Sequence, residues 1–175
     1  MPINWKQELA VAVIVKNDVQ AADTTGLWQH HLPDVAATED QITMTERALG
    51  FSIDAKYREF LRHANGWKKF LQNIDIHGTH ELTSEAERQS YAGLIGVIEG
   101  EVFTQLGILR SEVYVVAGSA IEGDMFCMTR NVQSTAGQVF WIAGTLVDRF
   151  PSFDEFFLAL VDYNRRELQR LQGKL

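Results

Sequence analysis

The sequence predicts an α+β fold, with a largely antiparallel or mixed sheet flanked by helices and closed by a C-terminal helix. Helical patterns fill the first half and return at the end, whereas strand patterns cluster between residues 112 and 142. The two kinds do not alternate, and strands that follow one another through short loops pair antiparallel. A parallel nucleotide-binding sheet, which needs a helical crossover between strands, is disfavoured. The 175 residues suit one folding unit, and 46% apolar with 22% charged residues is ordinary globular composition. That composition excludes disordered, collagen-like and disulfide-scaffold classes.

Asn4 can cap a helix starting at Trp5, with Gln7 three residues on. Ala10 to Val15 is rich in β-branched residues, so a strand is the rival reading. The helix is preferred, followed by a loop from Gly26 to Pro33. Thr38 with Gln41 fits a capping box for a helix from Glu39 to Leu49, stopped by Gly50. A second helix from about Asp54 carries an apolar stripe of Tyr57, Phe60, Leu61 and Ala64, and Asn65-Gly66 ends it. Trp67 then falls at a turn.

Ile74-Asp75-Ile76-His77 alternates as a half-buried strand does, with the two isoleucines facing the core and Asp75 and His77 facing away. Ser84 with Glu87 marks a short helix reaching about Tyr91, and the glycine-rich stretch Gly93 to Gly107 resists assignment. Glu112 to Ala117, Asp124 to Thr129 and Gln138 to Ile142 read as strands, the first two joined by a hairpin loop from Gly118 to Gly123. Ser152 with Glu155 opens the last helix. Its seam runs through Phe153, Phe156, Phe157, Leu160, Val161, Asn164, Leu168 and Leu171, with Asn164 the one polar intruder.

Charge narrows the function classes. Lys plus Arg is 16 and Asp plus Glu is 23, a net charge of −7. Residues 70–129 hold nine acids (Asp75, Glu81, Glu85, Glu87, Glu99, Glu101, Glu112, Glu122 and Asp124) and only two bases, Arg88 and Arg110. The whole excess sits in that window. Such a chain repels phosphates and anionic lipid and attracts basic partners. The single cysteine, Cys127, allows no internal disulfide. The start, Met1-Pro2-Ile3-Asn4-Trp5, lacks signal-peptide features, and the longest apolar run, Leu9 to Val15, falls far short of the ~20 residues that span a bilayer. A cytoplasmic location is expected.

No catalytic constellation emerges. His77 and His80 flank a Gly turn beside Glu81, too few convergent ligands for zinc, so a metal-dependent hydrolase using them is the least favoured reading. Cys127, between Phe126 and Met128, reads as a small core residue. Gly118-Ser119-Ala120 is not a nucleophile elbow, and no phosphate loop is present. Trp141 alternates with core residues, whereas Trp67 reads as a core lid or a binding anchor.

Ala48-Leu49-Gly50-Phe51, Tyr57-Arg58-Glu59-Phe60-Leu61 and Asn65-Gly66-Trp67, in this order and spacing, resemble the SMI1/KNR4 family of the SUKH superfamily. Gly123-Asp124-Met125-Phe126 and the closing helix from Phe153 to Asn164 fit the same pattern, so the resemblance covers roughly residues 36–164. The link between the first two helices of that pattern usually carries Leu-Pro and here reads Ser52-Ile53. The resemblance implies an SMI1/KNR4-like domain over residues 36–175, with residues 1–35 an N-terminal extension packed on it. It also implies a non-catalytic immunity protein without cofactor or metal, which binds and blocks a bacterial toxin domain of nuclease or deaminase class. Fungal relatives act as interaction modules in cell-wall regulation, so a regulatory module with no toxin partner is the alternative. The expected partner is a basic protein, not nucleic acid or membrane. The partner-facing residues are expected to be Trp67 as anchor, Asp75 and His77 on the outward face, and Glu122 and Asp124 pairing with Lys or Arg.

Overall fold

The computed structural model describes residues 3–130 and 133–174; Met1 and Pro2, whose reading above concerned a leader, fall outside them. Helix α1 spans Trp5–Ala22, and the Asn4 side chain accepts the Gln7 N–H at its start. Trp5, Leu9, Ala12, Val15 and Val19 recur with helical spacing and are all buried, which decides the helix over the strand. Helix α2 (Glu39–Leu49) has both bonds of the Thr38–Gln41 capping box and stops at a left-handed Gly50. Helix α3 (Ala55–Leu61) is capped by Asp54, and its Tyr57, Phe60 and Leu61 are fully buried.

Helix α3 stops four residues before Asn65-Gly66, a correction to the helix expected there. Asn65 instead clasps the segment after the next hairpin: its Oδ1 accepts Thr79 N–H at 2.8 Å and its Nδ2 donates to Thr79 Oγ1 at 2.9 Å. Gly66, at φ +93, then turns the chain into strand β1 (Trp67–Leu71), so Trp67 lies in a strand and not in a turn. Strand β2 (Ile74–Ile76) pairs with it as a short hairpin.

Helices α4 (Thr79–Thr83), α5 (Glu85–Val97) and α6 (Gly100–Leu106) follow, so the glycine-rich stretch that defied assignment is mostly helical. Strands β3 (Val113–Ser119), β4 (Asp124–Thr129), β5 (Val139–Ala143) and β6 (Thr145–Phe150) complete the sheet, and α7 (Phe153–Leu171) closes the fold from a Ser152 cap. Strand order follows chain order, with every neighbouring pair antiparallel. The α+β class and the closing helix stand as read.

The sheet is covered on both faces. One side holds the larger core, where Trp5 of α1, Phe60 of α3 and Phe157 of α7 meet Trp67, Phe70, Ile76 and Phe126 of the strands. Asn164, the polar intruder on α7, is buried and donates to the Phe70 carbonyl at 2.9 Å, pinning helix to sheet edge. On the other side Tyr91, Ile98, Val102, Phe103 and Leu106 from the α5–α6 layer pack on Val115, Met125, Cys127, Phe140 and Ile142. Cys127 is sealed there, and burial pushes its thiol up to about 12, which keeps it protonated and inert at neutral pH. Among the described residues no helix is long and apolar enough to cross a membrane.

Candidate protein-binding surface

Sheet register sorts the five residues expected to face a partner. Trp67 stands opposite Ile76, and Ile76 opposite Ala117, so all three share the face under α1 and α7. Asp75 stands opposite Gly118, which stands opposite Met125, so Asp75 lies on the α5–α6 face. Asp124 pairs with Ser119, one step along β3, and therefore points back toward α7. The five do not form one patch.

Trp67 is 0% exposed, and its indole N–H donates to the His31 carbonyl at 2.8 Å. It anchors the N-terminal loop of its own chain. His77 is 3% exposed, because the face its alternation selects is itself roofed by helices. Alternation fixes which side of a sheet a residue takes, but exposure depends on what covers that side. Trp67 therefore acts from inside the molecule, and the His77 ring is buried under the helices with only the α5–β3 cleft beside it, a correction to their expected outward placement.

The other three keep solvent contact. Asp75 is half-buried and accepts from the backbone N–H of Lys69 at 2.8 Å, with the Lys69 ammonium 3.4 Å away. Glu122 is exposed on the β3–β4 loop beside a fully exposed Ile121, and it accepts from Asn73 Nδ2 at 2.6 Å across the hairpin tips. Asp124 is half-buried and accepts the Trp141 indole N–H at 2.7 Å. Trp141, read above as core, is half-exposed. With Tyr163, Arg166 and Arg170 of α7 it lines a groove of about 570 Å³ beside Leu71 and Gln72 of the β1–β2 hairpin. Trp, Tyr and Arg are the side chains that dominate protein interfaces. Only knowledge of the α7 packing reveals that this set converges.

Six of the nine acids in the charged window (Glu81, Glu85, Glu87, Glu99, Glu101 and Glu112) lie between α4 and the start of β3. This segment roofs the second face of the sheet. Glu85, Glu99 and Glu101 are exposed, and Glu81, Glu87 and Glu112 are half-buried. The two bases of the window are occupied: Arg88 lies 4.0 Å from Glu85, and Arg110 donates to the carbonyls of Gly96 and Ile98 at the end of α5.

A cleft of about 360 Å³ opens between α5, β3 and the α2–α3 link. Phe51, Leu82, Tyr91, Ile95 and Tyr114 give it apolar walls, with Glu81, Glu87 and His77 among them. The His77 ring lies 5.3 Å from that of Tyr91, and its Nδ1 contacts the Val115 carbonyl at 3.2 Å. A carbonyl only accepts, so the proton is on Nδ1 and Nε2 is left as an acceptor. Burial holds this imidazole below the usual histidine range despite the opposing pull of Val115, Glu81, Glu87 and Asp75. Glu87, Tyr91 and Ile95 stand at i, i+4 and i+8, a spacing that exposes this face of α5 once the helix is known to continue past Tyr91.

Among the described residues no three His, Cys, Asp or Glu side chains converge on a metal-sized site, and His77 and His80 part company, one buried and one exposed. Comparison with curated proteins finds no match. The model of the SMI1/KNR4 family (SUKH-1) matches residues 36–159, from just ahead of the Thr38 cap to the middle of α7. That match takes in the Asn65 clasp, the whole sheet and the acidic roof, and on it the chain belongs to the SMI1/KNR4 (SUKH-1) family.

Proposed function

We propose that this chain is a non-catalytic cytoplasmic immunity protein that neutralises a basic toxin domain of nuclease or deaminase class. Two supports converge. The family includes bacterial immunity proteins. The chain's entire charge excess lies in residues 70–129, most of it on the α4–α6 roof and the rest near β2 and the β3–β4 tip. The second is the observation that carries the reading. A domain built to hold phosphates presents cationic grooves, and a surface rich in carboxylates steers toward them and occupies them. Asp75, Glu122 and Asp124 contribute carboxylates to this reading, while Trp67 and His77 hold the elements that present them.

The test combines capture with toxicity. Tagged protein is used to capture partners from the native host, and any partner found is expressed alone and then with this chain. The reading requires a basic partner that arrests growth alone and is silenced by co-expression. Reversing Glu99→Lys with Glu101→Lys, both exposed on the roof, is expected to slow association about tenfold or more at low salt and by much less at high salt. A partner that is harmless alone, or association rates unchanged by the reversal at every salt concentration, overturns the proposal in its toxin or its electrostatic half respectively.

A further inference from the structure

The α5–β3 cleft contains more hydrogen-bond acceptors than its own chain satisfies. Among the described residues His77 Nε2 makes no hydrogen bond, yet it is not among the atoms sealed from water, so it looks into the cleft that His77 lines. The Glu87 carboxylate, half-buried on the same wall, has no ion pair or hydrogen bond among the described residues. Glu81 already accepts Gly78 N–H at 3.0 Å. Of the two cations of the lining, Arg88 faces Glu85, and the Arg130 guanidinium already stands over the Phe51 wall at 5.6 Å, which leaves Glu87 and the walls at Tyr91 and Tyr114 without a cation among the described residues. A buried acceptor facing apolar and aromatic walls calls for a donor that tolerates desolvation.

We propose that this cleft seats one arginine side chain of the protein partner, its guanidinium held by His77 Nε2 and Glu87 against the aromatic walls. The inference rests on the reading that a basic protein meets this face. Guanidinium fits better than ammonium on three counts. It is planar and can lie against Tyr91 or Tyr114; it presents several donors at fixed angles to an imidazole and a carboxylate together; and it sheds water more easily. The volume lies at the lower end of the ~300–1,000 Å³ range of small-ligand sites, enough for one long side chain and some of its backbone. The negative charge of the surrounding roof makes the occupant cationic.

The probe is N-acetyl-arginine methylamide, titrated into the full chain and followed by amide chemical shifts. Saturable shifts are expected at His77, Glu87, Tyr91 and Val115. The neutral citrulline counterpart should produce none. Glu87→Gln, at a solvent-contacting position that leaves the fold intact, should weaken binding at least about tenfold, the usual size of a lost charge-assisted bond. Ala92→Leu, which fills the mouth without changing charge, should abolish it. Absence of saturable shifts, equal shifts from citrulline, shifts on another face, or unchanged binding by Glu87→Gln would each overturn the proposal. The probe contains no partner, so a failed titration leaves the neutralisation reading standing. A successful titration alongside a partner that proves harmless rejects that reading and keeps the cleft.

Discussion

At the scale of single residues, Gly66 and Gly78 explain why Asn65-Gly66-Trp67 is a unit. Gly78 has an extended backbone that any residue can adopt, so its requirement is one of space. A Cβ added there would sit 2.0 Å from the Asn65 carbonyl oxygen, and one added to Gly66, itself at φ +93, would sit 2.7 Å from Gly78 N. The two backbones touch so that the Asn65 amide can reach Thr79. Gly78→Ala is therefore expected to destabilise the protein by about 3 kcal/mol in urea unfolding, the upper end for overpacking against backbone that cannot yield. Gly93→Ala makes the contrast. Gly93 lies inside α5 with nothing within 4 Å of an added Cβ, so that change should stabilise by about 0.5–1 kcal/mol through helix propensity alone. If both substitutions gave the same sign, backbone contact would not be what Gly78 provides.

At the scale of elements, helix α1 carries a buried charge. Lys16 is 3% exposed, its Nζ donates to the Lys69 carbonyl at 2.8 Å, and burial lowers its pKa from 10.5 to about 8. Lys69 is itself at φ +51, in the irregular stretch of β1, so Lys16 fastens helix α1 to a bulge in the edge strand. Below pH 8 both folded and unfolded states hold this proton, and the fold bears the full cost of a buried ammonium. Between pH 8 and 10.5 the folded state releases it first, the unfolded state holds more protons, and stability rises with pH. Cys127 and the buried tyrosines pull the other way at alkaline pH because their folded pKa values are raised. The comparison with Lys16→Met cancels them. The stability of the natural chain relative to Lys16→Met should climb by about 1–2 kcal/mol between pH 7 and 9.5; a flat difference would show the ammonium to be solvated. This pairing was illegible in the sequence, where Lys16 ends an apolar run and looks like a solvated helix position. Elements marked by short-range rules were legible: the Asn4, Thr38, Ser84 and Ser152 caps, the Gly50 stop and the Asp124–Thr129 strand. The missing proline of the α2–α3 link is also explained locally, since the Ile53 N–H that a proline would lack is taken by Glu46 Oε1 at 3.0 Å. What escaped were elements shaped by tertiary contact. Helix α5 runs through Gly93 and Gly96 because Tyr91 and its apolar neighbours Leu94 and Ile95 pack on the sheet, and β6 is an exposed edge whose Asp148 and Arg149 mask its period. Of the five residues expected to face a partner, the solvent contact of Asp75, Glu122 and Asp124 could be read from the sequence, but the roof that buries His77 could not.

At the scale of the whole molecule, the first 35 residues are tied to the rest by contacts that trimming the chain to residue 36 would sever. Trp5 meets Phe60 and Phe157 edge-on at 5.3 and 5.2 Å, in the middle of the larger core. The loop after α1 continues the attachment: Trp28 donates to Glu167 on α7 at 2.8 Å, the His31 carbonyl accepts from Trp67, and Asp34 N–H bonds the Gly66 carbonyl. The family match begins at residue 36, so a protein trimmed to that boundary loses all of these. Burying Leu9, Val15 and Val19 contributes about 2 kcal/mol each, and Trp5 at least as much. Leaving the buried Trp67 indole N–H without its acceptor costs about 1–3 kcal/mol more. Together these rival the ~5–15 kcal/mol net stability of an ordinary domain. Deletion of residues 1–35 is therefore expected to abolish the cooperative urea transition and the near-ultraviolet signal of the packed tryptophans, while some helical far-ultraviolet signal persists. A trimmed chain that still unfolds cooperatively, with Trp67 in a fixed environment, would make the first 35 residues a dispensable extension. In that case partner binding could be mapped on the shorter chain. If the transition is lost as expected, the acidic roof and the α1–α7 layer stand or fall together, and any variant of the proposed binding face has to be judged in the whole 175-residue chain.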